Sequence, residues 1–161
     1  MPDHHHHGED ANKNQAAETD ARRRWIGLLA RASGPAIETL AAHLSLPDFT
    51  RIRGPETGLV MLRGRAGGDG AAFNLGEMTT TRCTIRTADG QVGHAYVAGR
   101  DARQAELAAL LDAVLQDSGR HGTVMAAVIE PLAEAEAARH TLRARRAAAT
   151  RVEFLAMATM R

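Results

Sequence analysis

From Thr19 onward the apolar positions recur with a helical period: Trp25, Leu28, Leu29 and Ala32 fall at i, i+3, i+4 and i+7. Arg22, Arg23 and Arg24, just before Trp25, and Arg31 are expected to point largely outward. Ser33-Gly34 interrupts this run, Pro35 suits a first helical turn, and Ile37, Leu40, Ala41 and Leu44 resume the same spacing until Pro47. The pattern predicts a helical hairpin at the start of the folded region.

After Pro47 the period becomes two. Phe49 to Arg53 and Leu59 to Arg65 read as strands, with the turn-forming Gly54-Pro55-Glu56-Thr57-Gly58 between them. In the second of these, alternation puts Leu59, Met61, Arg63 and Arg65 on one face. A third strand is expected from about Glu77 to Thr87, through the β-favouring Thr79-Thr80-Thr81. Asp89-Gly90 then signals a tight hairpin. A two-residue loop there predicts Thr87 opposite Val92, Ile85 opposite His94, Cys83 opposite Tyr96 and Thr81 opposite Ala98, with Arg82, Thr84 and Arg86 on the other side.

Asp101 and Gln104 have the spacing of a capping box, and Leu107, Leu110, Leu111, Val114 and Leu115 mark an amphipathic helix ending near Ser118-Gly119. A short helix around Val124 to Ile129 follows, then a long one from Pro131 to about Ala149 whose scarcity of large apolar residues calls for a partner. Arg151 to Met157 reads as a last strand. The sum is an α+β fold: an N-terminal helical hairpin, a mainly antiparallel sheet of about four to five strands, C-terminal helices and a final strand.

Composition narrows the function classes. A chain of 161 residues, 44% hydrophobic, can bury one domain core but not two. Its 20 Lys and Arg against 19 Asp and Glu leave a net charge of +1, which lacks the overall field of a nonspecific nucleic-acid or membrane-surface binder. At 3% aromatic residues there is no stacking platform for single strands. The lone Cys83 excludes an intrachain disulfide, a thiolate zinc site and a cysteine-ligated cluster within one chain. With no apolar run of about 20 residues and no signal-peptide pattern, a cytoplasmic location is expected and no membrane contact. Residues 1–18, with the His4 to His7 run, have the composition of a disordered polar tail in which metal affinity is incidental, leaving 19–161 as one domain.

The run Arg63-Gly64-Arg65-Ala66-Gly67-Gly68-Asp69-Gly70-Ala71-Ala72-Phe73-Asn74-Leu75-Gly76-Glu77-Met78-Thr79-Thr80-Thr81-Arg82-Cys83 resembles the PhnG family. So do Gly93-His94-Ala95-Tyr96-Val97-Ala98-Gly99-Arg100-Asp101, the segment Ala105 to Ala113, and Thr150-Arg151-Val152-Glu153-Phe154. The likeness covers about Arg22 to Met157, and departs from the family at the His-containing leader and at the last seven residues. It implies a small subunit of the bacterial carbon-phosphorus lyase core. That assembly attaches a phosphonate to C1 of the ribose of ATP and displaces adenine, so MgATP would be a substrate of the complex, with no cofactor held by this chain alone. The implied partners are I-type, H-, J- and K-type subunits, with this chain in two copies, and the implied activity is that of a non-autonomous transferase subunit.

No residue declares itself catalytic. Arg63 and Arg65 with Gly67, Gly68 and Gly70 could hold an anion, since arginines give charge-assisted hydrogen bonds and glycines admit close backbone approach. The competing reading is a solvated strand connection, because P-loop spacing is missing. Arg82 and Arg100 are further candidates for a nucleotide or partner contact. Glu77 and His94 are the candidate acid/base groups, although the hairpin ladder separates them. His43, His121 and His140 lack metal-ligand spacing, so no metal is expected. The N-terminal helical hairpin has no Lys or Arg from Gly34 to Phe49, which weighs against a helix-turn-helix that binds DNA. A purely structural role in the complex stays open beside substrate contact. Without a P-loop or paired catalytic groups, the isolated chain is expected neither to bind nor to turn over ATP appreciably.

Overall fold

The core is organised around one helix. In the computed structural model, which describes residues 6–65 and 70–150, α3 (Ala102–Leu115) has twelve of its fourteen residues buried. A helix hydrophobic on every side must be covered on every side. One flank of α3 lies on a three-stranded antiparallel sheet, β1 (Phe49–Gly64), β2 (Phe73–Thr87) and β3 (Val92–Ala98), in the order β1-β2-β3. The other flank is covered by α1 (His6–Arg31), α2 (Gly34–Ala41) and α4 (Ser118–Val124). Leu29, Ile37, Ile85, Val97, Leu111 and Val128 close the core between these layers.

The α+β class and its helix-sheet-helix order match the sequence pattern, with three strands in place of four or five. The expected final strand, Arg151 to Met157, lies outside the described residues. The helix α1 takes in residues 6–18 of the leader expected to lack order. Once the Trp25 end is packed, each further residue adds a helical hydrogen bond without a new nucleation cost, and Glu, Ala, Asn and Gln can propagate it. Nor do all its arginines point outward, for Arg22 turns in and binds Asp112 through Nε at 3.1 Å and Nη2 at 2.7 Å.

Beyond α3, the chain is continuously helical from Ser118 to Ala149, in place of the two separate helices expected around Val124 to Ile129 and from Pro131. The helix α4 passes through a π-helical turn, Met125–Ile129, into α5 (Glu130–Ala149). The wide turn accommodates Pro131, which has no N–H to donate and whose ring would crowd a regular preceding turn. The sheet also departs from expectation in two places. The segment Gly54 to Gly58 is not a turn, so Phe49–Gly64 is a single strand with register shifts at Arg51/Arg53, Arg53/Glu56 and Leu62/Arg63. An edge strand tolerates Pro55, because its N–H need not pair.

The hairpin loop holds three residues, not two. Gly90 N–H donates to the Thr87 carbonyl and Gly90 takes φ +91°, closing a turn over Ala88-Asp89-Gly90. The register therefore slips by one from the expected set: Arg86 faces Val92, Ile85 faces Gly93, Thr84 faces His94, Cys83 faces Ala95, Arg82 faces Tyr96 and Thr81 faces Val97. With a side-chain period of two, that slip turns His94 and Tyr96 outward and Gly93, Ala95 and Val97 onto α3.

Polar bonds fasten the layers. Asp112, fully buried, accepts from Arg22, from the Trp25 indole N–H at 2.9 Å and from the His94 backbone N–H at 2.9 Å. Asp101 caps α3 by accepting from Gln104 N–H at 2.8 Å. The Gln104 side chain does not complete a capping box but donates to the carbonyls of Leu29, Ala30 and Ala32, satisfying the end of α1.

Candidate functional site

Among the described residues the side of the sheet away from α3 is open, and the bulges in β1 decide what it displays. Arg51 pairs with Ile85 on the helix side and binds Glu106 of α3. Plain alternation would put Arg53 on that same side. The extra residue Ile52 instead sets Arg53 opposite Thr84, on the open face. A second irregularity at Gly54-Pro55 then brings Glu56 opposite Arg82, on the same face.

Two rows of polar side chains result, each crossing all three strands. Glu56, Arg82 and Tyr96 form one row, and Arg53, Thr84 and His94 the other. Strand spacing puts neighbours in a row about 5 Å apart and the rows about 7 Å apart at the backbone. Glu56 Oε2 accepts from Arg53 Nε at 2.9 Å and from Arg82 Nε at 3.2 Å, so one carboxylate orients two guanidinium groups. His94 Nδ1 shares a 3.2 Å hydrogen bond with Thr84 Oγ1, which leaves Nε2 facing out. Tyr96 is 49% exposed. Between these groups and Ile26 of α1 is a depression of about 200 Å³.

Two other concavities are built differently. A groove of about 790 Å³ runs between α1 and α4 past Trp25 and His121, where the side chains of Arg22, Gln116 and His121 are engaged in holding the fold. His121 Nδ1 donates to the Leu115 carbonyl at 2.7 Å, and its ring meets Trp25 edge-on with centroids 5.6 Å apart. A cleft of about 420 Å³ beside α5 is crossed by the Arg31–Glu136 ion pair, with Nε to Oε1 at 2.5 Å. Hydrogen bonding from Arg31 holds the Glu136 carboxyl below its ordinary value of 4.5.

The remaining structural feature is an arm. The strand β3 stops opposite Thr80, while β1 and β2 continue as a two-stranded ribbon from Gly58 opposite Thr80 to Gly64 opposite Phe73. That is about 20 Å of strand with, among the described residues, no third strand paired to it. Leu59, Met61, Leu62, Phe73 and Leu75 are 39% to 64% exposed along it. At its end the Leu75 side chain occupies the space that a Cβ on Gly64 would need.

The sequence candidates fall in separate places. Arg63 and Arg65 are exposed at the far end of the arm; Arg63 continues the Leu59 and Met61 face, whereas Arg65 lies past the end of β1. Gly67 and Gly68 lie outside the described residues, and Gly70 is exposed just before β2. Glu77 stands on the arm opposite Met61, beyond the end of the β2–β3 ladder, and is not brought to His94. Arg100 is exposed in the bend after β3. Of the set, Arg82 and His94 alone share a site. Sequence reasoning missed Arg53, Glu56, Thr84 and Tyr96. The available signal was Gly54-Pro55 inside an otherwise continuous β pattern, a composition that a bulge can also produce. Cys83, placed opposite Tyr96 by the two-residue loop, lies on the buried face opposite Ala95, and burial pushes its thiol pKa up.

Fold and surface define a small α+β protein with an open-faced sheet and an apolar arm. Residues 20–160 match the family described as "Phosphonate metabolism protein PhnG". A protein of Rhizobium meliloti (strain 1021) is 42% identical over 148 residues, covering 91% of this chain and 94% of the relative. Its name is "Alpha-D-ribose 1-methylphosphonate 5-triphosphate synthase subunit PhnG". The chain belongs to the PhnG family. Among the described residues no helix is long and apolar enough to cross a membrane.

Proposed function

We propose that this chain is a non-autonomous subunit of a cytoplasmic synthase that transfers a phosphonate to C1 of the ribose of MgATP with loss of adenine. The observation that supports this most is the 42% identity, along nearly the whole of both chains, to a subunit of a synthase whose name specifies that product. The I-, H-, J- and K-type subunits implied by the family resemblance are its proposed partners, with two copies of this chain per assembly.

The arm is the proposed docking element. A ribbon whose apolar residues meet solvent on both faces gains from every methylene that a partner covers, at roughly 25 cal/mol per Å². Leu59 and Met61 lie on the face that continues the helix-covered side of the sheet, so a partner seated there would extend the core of this chain. Co-expression with the I-type subunit tests the reading. The wild-type chain should co-purify with it, and Leu59→Asp with Met61→Asp should prevent co-purification while the thermal transition of the isolated chain stays intact. A synthase reaction that runs at full rate without this chain would remove the functional reading altogether.

A further inference from the structure

The two rows on the open sheet face carry a pattern that docking does not account for. Glu56 supplies one negative charge to Arg53 and Arg82 together, so one guanidinium charge is left over. Both arginines are held by their Nε groups, each with further N–H donors to spare. The Thr84 bond fixes the ring of His94, and the Tyr96 hydroxyl stands in the next row. These side chains stand on three hydrogen-bonded strands rather than on loops, and the bulges at Ile52 and Gly54-Pro55 are what put Arg53 and Glu56 among them.

We propose that this grid is a seat for a small tetrahedral oxyanion, a phosphonate or phosphate group, with Arg53 and Arg82 as its charged donors and His94 Nε2 and the Tyr96 hydroxyl as lateral ones. The inference rests on the synthase reading, in which both a phosphonate and a triphosphate are present. The depression can admit such a group: at about 200 Å³, and lined by Arg53, Arg82, Thr84, His94 and Tyr96, it has room for a group the size of methylphosphonate. Guanidinium forks match the oxygens of such a group geometrically, and the shared carboxylate keeps both forks oriented before it arrives. The seat is open on the solvent side, so this chain alone holds the anion weakly, with a Kd on the order of 1 mM or above, and a neighbouring subunit completes the enclosure. The exposed cross-strand Arg–Glu pairs would also be explained by sheet stabilisation alone. That alternative predicts altered stability without altered substrate dependence.

The test uses the assembled complex, with adenine release measured against methylphosphonate and against MgATP in separate titrations. Arg82→Gln should raise one of the two KM values about ten-fold, the loss expected for one charge-assisted hydrogen bond. Tyr96→Phe should raise the same KM by a smaller factor. A rise for methylphosphonate assigns the seat to the phosphonate, and a rise for MgATP assigns it to a phosphate of the nucleotide. If Arg82→Gln does not fold, Tyr96→Phe and His94→Gln carry the same comparison. On the isolated chain, amide NMR with methylphosphonate, and separately with inorganic phosphate, should show shifts confined to residues 53, 82–84 and 94–96. Unchanged KM values in an intact complex overturn the proposal, as does loss of the complex, which would make the grid a protein interface. In both cases the chain remains a required synthase subunit, whereas full activity in a complex lacking it would refute the synthase reading instead.

Discussion

Gly93 shows how closely one residue can govern packing here. A Cβ at that position would collide with the Ala109 carbonyl oxygen and come within 2.6 Å of the Ala113 backbone nitrogen. Both are backbone atoms of the buried helix α3 and cannot rotate away, so Gly93→Ala is expected to cost about 3 kcal/mol or more, read as a lower urea midpoint. Asp112 governs charge in the same region. With three side-chain donor contacts and one backbone N–H converging on it, Asp112→Ala strands a buried indole N–H and part of a guanidinium, and should destabilise the fold by about 3 to 5 kcal/mol. Cys83 illustrates the opposite case, chemistry suppressed by packing. Its thiol is 1% exposed and raised in pKa by burial, so an aromatic disulfide reagent at neutral pH should react with it only after denaturant is added.

At the scale of elements, α5 is joined to α1 by Arg31 and Glu136 and is exposed from Ala137 onward. Because Arg31 depresses the folded-state pKa of Glu136, the pair contributes stability above the ordinary value of 4.5, and that contribution disappears as pH falls through the lower folded value. Glu136→Gln should therefore cost at most about 1 kcal/mol at neutral pH, and the difference in Tm from wild type should vanish in acid. The elements themselves were largely legible in the sequence, since period and punctuation are local: the Trp25 to Ala32 spacing, the Ser33-Gly34 break and the Asp101 cap all specify helices that form. The relations between elements were not. Asp89-Gly90 announces a hairpin but not whether its loop holds two residues or three, and that single residue decides whether His94 faces the core or solvent. Gly54-Pro55 announces an interruption of the strand. Only pairing with β2 distinguishes a bulge from a turn, and on that distinction depends whether Arg53 and Glu56 meet Arg82 at all.

For the whole molecule, docking is expected to draw on two surfaces of different chemistry. The arm is apolar, whereas the exposed half of α5 carries Arg139, Arg143, Arg145 and Arg146 with no acidic residue after Glu136. A chain ended at Glu136 keeps the buried Leu132 and should fold. Its complex with the proposed I-type partner should form more slowly at low salt and show a flatter salt dependence than wild type, measured by stopped-flow mixing across ionic strength.

The arm also bears on the life of the protein in a cell. The strand β1 is a sheet edge sixteen residues long, and its outer stretch is apolar, the kind of edge onto which other strands can add. A newly made chain that finds no partner would present that edge to its own copies and to proteases. Synthesis of this subunit in excess of its partners should accordingly yield aggregates and nicked chains, and co-synthesis in matched amounts should restore soluble protein. The genes of the assembly would then be under pressure to be expressed in fixed proportion, a constraint on regulation that originates in five uncovered side chains.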